Sequence, residues 1–177
     1  MPQGLSAGTV TFGGGSIATP MQSSPSSPSN AYQTQAGGPW FQTGQVLWAS
    51  AAGAQFPGFG QEYVQAPANV TIQQPKLNGS TYVIPTSTDL PLAWSGAEPG
   101  AQVVVEGTAS SGSSYFLCTF DALAGGGVVP VAMLKSLSGM AGGYFIWGQF
   151  TTTTFNAGPF TVGLHALPYA GASATFQ

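Results

Sequence analysis

The side chains able to do chemistry are few, and they crowd into one place. The stretch Cys118–Leu137, CTFDALAGGGVVPVAMLKSL, holds the only cysteine, one of two aspartates, a triple glycine and one of two lysines. A thiol nucleophile needs a base or cationic surroundings to become a thiolate. The only histidine, His165, falls on the outward face of a separate strand pattern. Cys118 alternates with Phe116 and Phe120, so its spacing directs it into a core, where free cysteine commonly sits. Asp121 ends that strand, and the glycines let the chain turn with positive φ. Pro130 suits the first turn of a helix, where a missing N–H costs nothing. The residues VPVAMLKSL then make one or two helical turns that pack Val131, Leu134 and Leu137, and Gly139 stops them. The stretch therefore predicts strand, glycine turn and short helix, with no site.

The remaining candidates do not assemble into a reaction centre on paper. Glu62, Asp89, Glu98, Glu106 and Asp121 are the only acids, and no ligand-rich loop gathers them for a metal. A serine triad would need His165 set by Asp89 or Asp121, and no GxSxG elbow is present. Glu62 and Glu106 could serve as glycosidase carboxylates, yet nothing in the sequence pairs them. The glycine clusters lack the Lys and Ser/Thr of a phosphate loop and read as turns. The expectation is a protein without catalytic residues, metal or cofactor.

Charge narrows the partners. Only 4% of residues are charged, there is no arginine, and Lys76 and Lys135 are the only cations. An ordinary soluble domain carries about 25%. A phosphate-rich partner needs clustered cations, so nucleic acid is excluded, and an anionic membrane surface is disfavoured by the same poverty. No run reaches the roughly 18 apolar residues of a membrane span, so no membrane insertion is expected, and the N-terminus lacks the basic start and apolar core of a secretory signal. A surface with so little charge repels copies of itself weakly. The composition thus suits a protein packed against its own copies, a homo-oligomer, or against a matrix.

The elements that would position these residues read as strands. WFQTGQVLWAS, FGQEYVQ, NVTIQQ, TYVI, LPLAWS, AQVVVEGT, SSYFLCTF, GYFIWGQFTTTTF, FTVGLHAL and SATFQ are short, rich in Val, Thr and aromatics, and separated by turn residues. Leu90, Leu92 and Trp94 share one face, as do Phe160, Val162, Leu164 and Ala166. In SSYFLCTF and GYFIWGQF both faces are apolar, which marks either central strands or a surface covered by another chain. The fold class is all-β, an antiparallel sandwich with one short helix after the glycine turn. Residues 16–38 are Ser/Pro-rich and cannot fill a core, so 1–38 reads as a strand plus extended arm and 39–177 as the sandwich domain. The strand GTVTF, with Val10 and Phe12, pairs at home or adds to a neighbour's sheet edge. Trp40, Trp48 and Tyr63 stand among amides and hydroxyls, as ligand or interface aromatics suited to polysaccharide, or as packing residues.

The order AGAQFPGFGQEYVQAPANVTIQQP, TDLPLAWSG, a Val-rich strand and LCTFDALAGGGVVPVAMLKSL resembles an Ig-like β-sandwich module of secreted and lipid-anchored surface proteins of myxobacteria and related bacteria. The similarity runs over roughly residues 45–177, through Gly53–Phe59, Ala66–Pro75, Leu90–Gly96 and Cys118–Pro130. It implies an Ig-like fold and an extracellular or cell-surface setting, and brings no enzyme activity. The chain departs from the module in its low charge, its Ser/Pro arm and the lack of a lipid-attachment cysteine near the start. The function expected from residues and resemblance together is a non-enzymatic structural subunit of a filament, fibre or coat, with N-terminal strand exchange as its means. A carbohydrate-binding adhesin is the alternative.

Overall fold

A computed structural model describes residues 5–24, 40–112, 114–140 and 142–177. It is an all-β, sandwich-like fold with one short helix. Contacts divide the chain into two compact units, Met1–Ala66 with Thr151–Ala166, and Pro67–Phe150 with Leu167–Gln177. Part of the expected 1–38 arm, namely residues 1–4 and 25–38, lies outside the described residues.

The first unit opens with strands β1 (Val10–Gly14), β2 (Met21–Ser23), β3 (Val46–Ala51) and β4 (Phe59–Gln65). They form an antiparallel sheet in the order β2-β1-β3-β4. Val10, Ala49, Ala51 and Val64 supply its buried face. The strand expected over WFQTGQVLWAS begins only at Val46. Before it the chain turns, with Gln45 N–H donating to Gln42 O (3.1 Å) and Gly44 at φ 80°.

The second unit is the sandwich. Its strands are β5 (Thr71–Gln74), β6 (Leu77–Asn78), β7 (Thr81–Ile84), β8 (Leu90–Ser95), β9 (Gln102–Ala109), β10 (Tyr115–Asp121), β11 (Gly126–Val129), the first half of β12 (Gly143–Ala157) and, after β13 (Phe160–Ala166), β14 (Tyr169–Phe176). One sheet runs β10-β9-β12-β14-β7-β6 and the other β11-β8-β5. All pairings are antiparallel except β14 with β7. Between the sheets, Leu90, Leu92 and Trp94 meet Val103, Val105, Phe116 and Phe145 in one apolar cluster. The indole N–H of Trp94 donates to the Ala122 carbonyl at 2.8 Å, so the buried ring keeps its polar end paired.

β12 continues past Phe150 into the first unit, where Thr151–Ala157 pairs with β13. There the Phe59–Phe155 and Phe56–Phe160 rings meet at 4.9 Å each, and β13 lies beside β4.

The Cys118–Leu137 region keeps the expected order of strand, turn and short helix, but Gly126 and Gly127 form part of a strand. Cys118 and Val131, expected in the core, are only partly buried. Asp121 caps a 3-10 turn over Ala122–Ala124, accepting from Leu123 N–H at 2.9 Å, and Gly125 turns the chain at φ 66°. Gly126 and Gly127 are not turn residues but the start of β11, paired with β8. Their missing side chains are what permit the pairing. A Cβ on Gly126 would sit 2.8 Å from Leu92 O, and one on Gly127 would sit 2.5 Å from the Phe120 ring. Helix α1 (Val131–Leu134) starts just after Pro130, with Val131 N–H bonded to an Asp89 carboxylate oxygen at 2.7 Å. Leu134 and Leu137 are fully buried, while Val131 is only partly so.

Candidate interaction surfaces

The residues singled out for assembly and for aromatic contact meet in the first unit. β1 has ladders on both sides: Val10, Thr11 and Phe12 pair with Ser23, Gln22 and Met21, and Val10–Gly14 pairs with Ala51–Leu47. Val10 and Phe12 point to the buried face, Val10 fully and Phe12 partly covered. On the opposite face Gly13, Trp48 and Tyr63 form one cross-strand row over β1, β3 and β4. The Trp48 ring packs against Gly13, where an added Cβ would come within 2.4 Å of it. Trp48 therefore covers the β1–β3 seam. Tyr63 stays half exposed, its hydroxyl donating to the Gln61 side chain at 2.7 Å. Trp40 takes part through its backbone: its carbonyl accepts from Ser16 N–H at 2.8 Å, next to the bond from Gly15 N–H to Val46 O at 2.9 Å. The N-terminal hairpin is thus latched to β3 along its length and at its end.

A second surface lies on the second unit, on the outer face of the β10-β9-β12-β14-β7 sheet. The strands that read as apolar on both faces turn out to be clothed inside only. Phe116, Phe145 and Trp147 face the core, whereas Tyr115, Leu117 and Tyr144 stand in solvent. Register places Leu117, Glu106 and Ile146 in one row and Thr119, Val104, Gly148 and Tyr169 in the next. Partial desolvation of its hydroxyl raises the Tyr169 pKa, and the negative charge of Glu106 adds to the rise.

The rarer chemistry stays dispersed. Cys118 is half buried, with its sulfur 3.6 Å from that of Met133, and desolvation raises its pKa. That is the reverse of an activated thiol. His165 belongs to the exposed face of the β12–β13 hairpin, with Nδ1 2.7 Å from the Thr152 hydroxyl. Asp89 and Asp121 hold backbone N–H groups at helix and turn starts. Among the described residues, no three His, Cys, Asp or Glu side chains cluster as a metal site would require. No helix among them is long and apolar enough to cross a membrane.

Sequence reading missed Gln149. It is fully buried, donates from Nε2 to Ala68 O (2.8 Å) and Gly96 O (3.3 Å), and accepts at Oε1 from Glu98 N–H (3.1 Å). The only signal available was its place in an otherwise apolar strand. It missed Tyr169 and Glu106 as neighbours because cross-strand register, not spacing along the chain, joins them.

Compared with family models, curated proteins and solved structures, the chain matches none.

Proposed function

We propose that this protein is a non-enzymatic structural subunit that assembles with its own copies into a filament, fibre or coat. The N-terminal β1–β2 hairpin of one copy takes the place beside β3 of the next. One observation carries the reading. The hairpin is held by a ladder at the edge of β3, sealed by Trp48 over Gly13. Backbone bonds from Ala52, Gly53 and Phe56 to residues 6–9 and from Ser16 to Trp40 also hold it, and a neighbour's copy can supply all of these. Residues 25–39 join it to the rest, and fifteen residues span up to about 50 Å when extended. An exchanged hairpin makes the same hydrogen bonds and the same Gly13–Trp48 contact in a neighbour as at home, so exchange costs little in contacts. The 4% charge content supports the reading, since copies repel one another weakly. An extracellular or cell-surface setting with an Ig-like sandwich is part of the proposal and rests on the sequence resemblance alone.

The test exploits register. Thr11 and Ser50 are directly opposed, and opposed strand residues have a Cα spacing that a disulfide can bridge. In a Cys118→Ser background, Thr11→Cys with Ser50→Cys is oxidised and run on a denaturing gel without reductant. Exchange joins different chains and yields a ladder of covalent oligomers. A single band at monomer mass, at protein concentrations where particles are seen, refutes exchange.

A further inference from the structure

The outer face of the second unit's large sheet carries a pattern that self-association does not account for. Register lines up Tyr115, Thr108, Tyr144, Ser173 and Thr81 on five adjacent strands, and every one bears a hydroxyl. At a strand spacing of about 4.8 Å the row is about 19 Å long. Its Ser173–Thr81 end opens into a shallow groove of about 330 Å³, lined also by Ser110 and Thr175. Tyr115 and Tyr144 are 65% and 53% exposed, and Tyr169, two rows away, is 61% exposed. Glu106 sits among these rings, between Leu117 and Ile146.

We propose that this face binds a neutral polysaccharide laid across the strands, its rings stacked on Tyr115, Tyr144 and Tyr169 and its hydroxyls bonded to Glu106 and the hydroxyl row. The choice of occupant follows from the charge. Glu106 is a carboxylate among aromatic and aliphatic side chains, and neither lysine of the chain belongs to these strands. A second copy closing dry over the face would desolvate that carboxylate and offers only Lys76 and Lys135 to pair with it. An anionic glycan would be repelled. A neutral polyol brings hydroxyl donors to the carboxylate and apolar ring faces to the tyrosines, so each group on the surface finds a partner without becoming unpaired. Tyrosine suits the task because its ring is apolar and its tip polar.

Affinity electrophoresis of the full chain tests this, in gels cast with hydroxyethyl cellulose, galactomannan or laminarin, and with alginate as the anionic polymer. The expected result is retardation by at least one neutral polymer and none by alginate. Tyr144→Ala and Glu106→Gln should each weaken retardation about tenfold with unchanged circular dichroism, while Leu123→Ala, on the separate 3-10 turn, leaves it intact. No retardation in any neutral gel overturns the proposal, as does equal retardation of the variants. A change in sedimentation coefficient for Tyr144→Ala with glycan binding unaltered also overturns it, since the face is then a contact between copies.

Discussion

Replacing Gln149 by Leu keeps the side chain's bulk and removes three hydrogen bonds from a fully buried position. Glu98 N–H, Ala68 O and Gly96 O lose their partner at once. A net hydrogen bond is worth about 1 kcal/mol, and a buried group left unpaired costs about 1–3 kcal/mol. The 2.8 Å and 3.1 Å bonds count fully and the 3.3 Å bond less. Gly96 is exposed and the other two partners are partly buried, so water recovers part of the loss. The expected destabilisation is therefore about 2–3 kcal/mol. In a chain of this length that lowers Tm by roughly 5–10 °C. Urea unfolding followed by tryptophan fluorescence should show a lower midpoint at unchanged slope. Gln149→Glu sharpens the test, because one carboxylate oxygen would face two carbonyl oxygens. Only its protonated form can donate to them, so the folded state raises its pKa and the variant loses stability as pH rises from 4 to 7. A loss below about 1 kcal/mol for Gln149→Leu, or a Glu variant indifferent to pH, would show that the amide does not hold these three segments.

Three further outcomes follow from the same structure. Tyr82 is buried and desolvation raises its pKa above 10.0, so the folded state keeps its proton when the unfolded chain loses it. Its contribution is complete below about pH 10 and is lost as pH climbs toward the folded value. Tyr82→Phe should flatten that alkaline decline in chemical unfolding. At Gly107 an added Cβ would lie 2.3 Å from the Phe116 ring. Phe116 is buried and has little room to move, so Gly107→Ala should cost about 1–3 kcal/mol of stability, read as a lower urea midpoint. Cys118, half buried against Met133 with a raised pKa, should react with a disulfide reagent at pH 8 several-fold more slowly than free cysteine.

What the sequence made legible was local. Alternation located most strands and chose the buried face of β8, because period-two spacing is enforced by the pleat itself. On β13 it chose the more covered face, where Ala166 is buried, Val162 and Leu164 are partly covered and Phe160 is exposed. The Asp121, Gly125 and Pro130 signals were legible for the same reason: each satisfies a backbone requirement within a few residues. What escaped depends on partners far along the chain. β11 hid inside a glycine run because its lack of side chains serves Phe120 and Leu92, not a turn. The two-faced strands β10 and β12 carried the outer tyrosine face in their alternation. The row of Tyr115, Thr108, Tyr144, Ser173 and Thr81 exists only once five strands are set in register. For Trp48 and Tyr63 the sequence offered aromatics without geometry. Folding gave Trp48 a partner in Gly13 and so tied it to the hairpin seam.

Self-assembly through the N-terminal hairpin is the central claim, and one comparison tests it most directly. The full chain and a chain lacking residues 1–24 are examined by negative-stain electron microscopy and light scattering at physiological salt. The account predicts regular particles or filaments for the full chain. For the truncation it predicts a dispersed protein that keeps its β-sheet circular dichroism and its cooperative unfolding. Identical assembly of the two chains, or a monodisperse full-length monomer at every concentration tried, would contradict it.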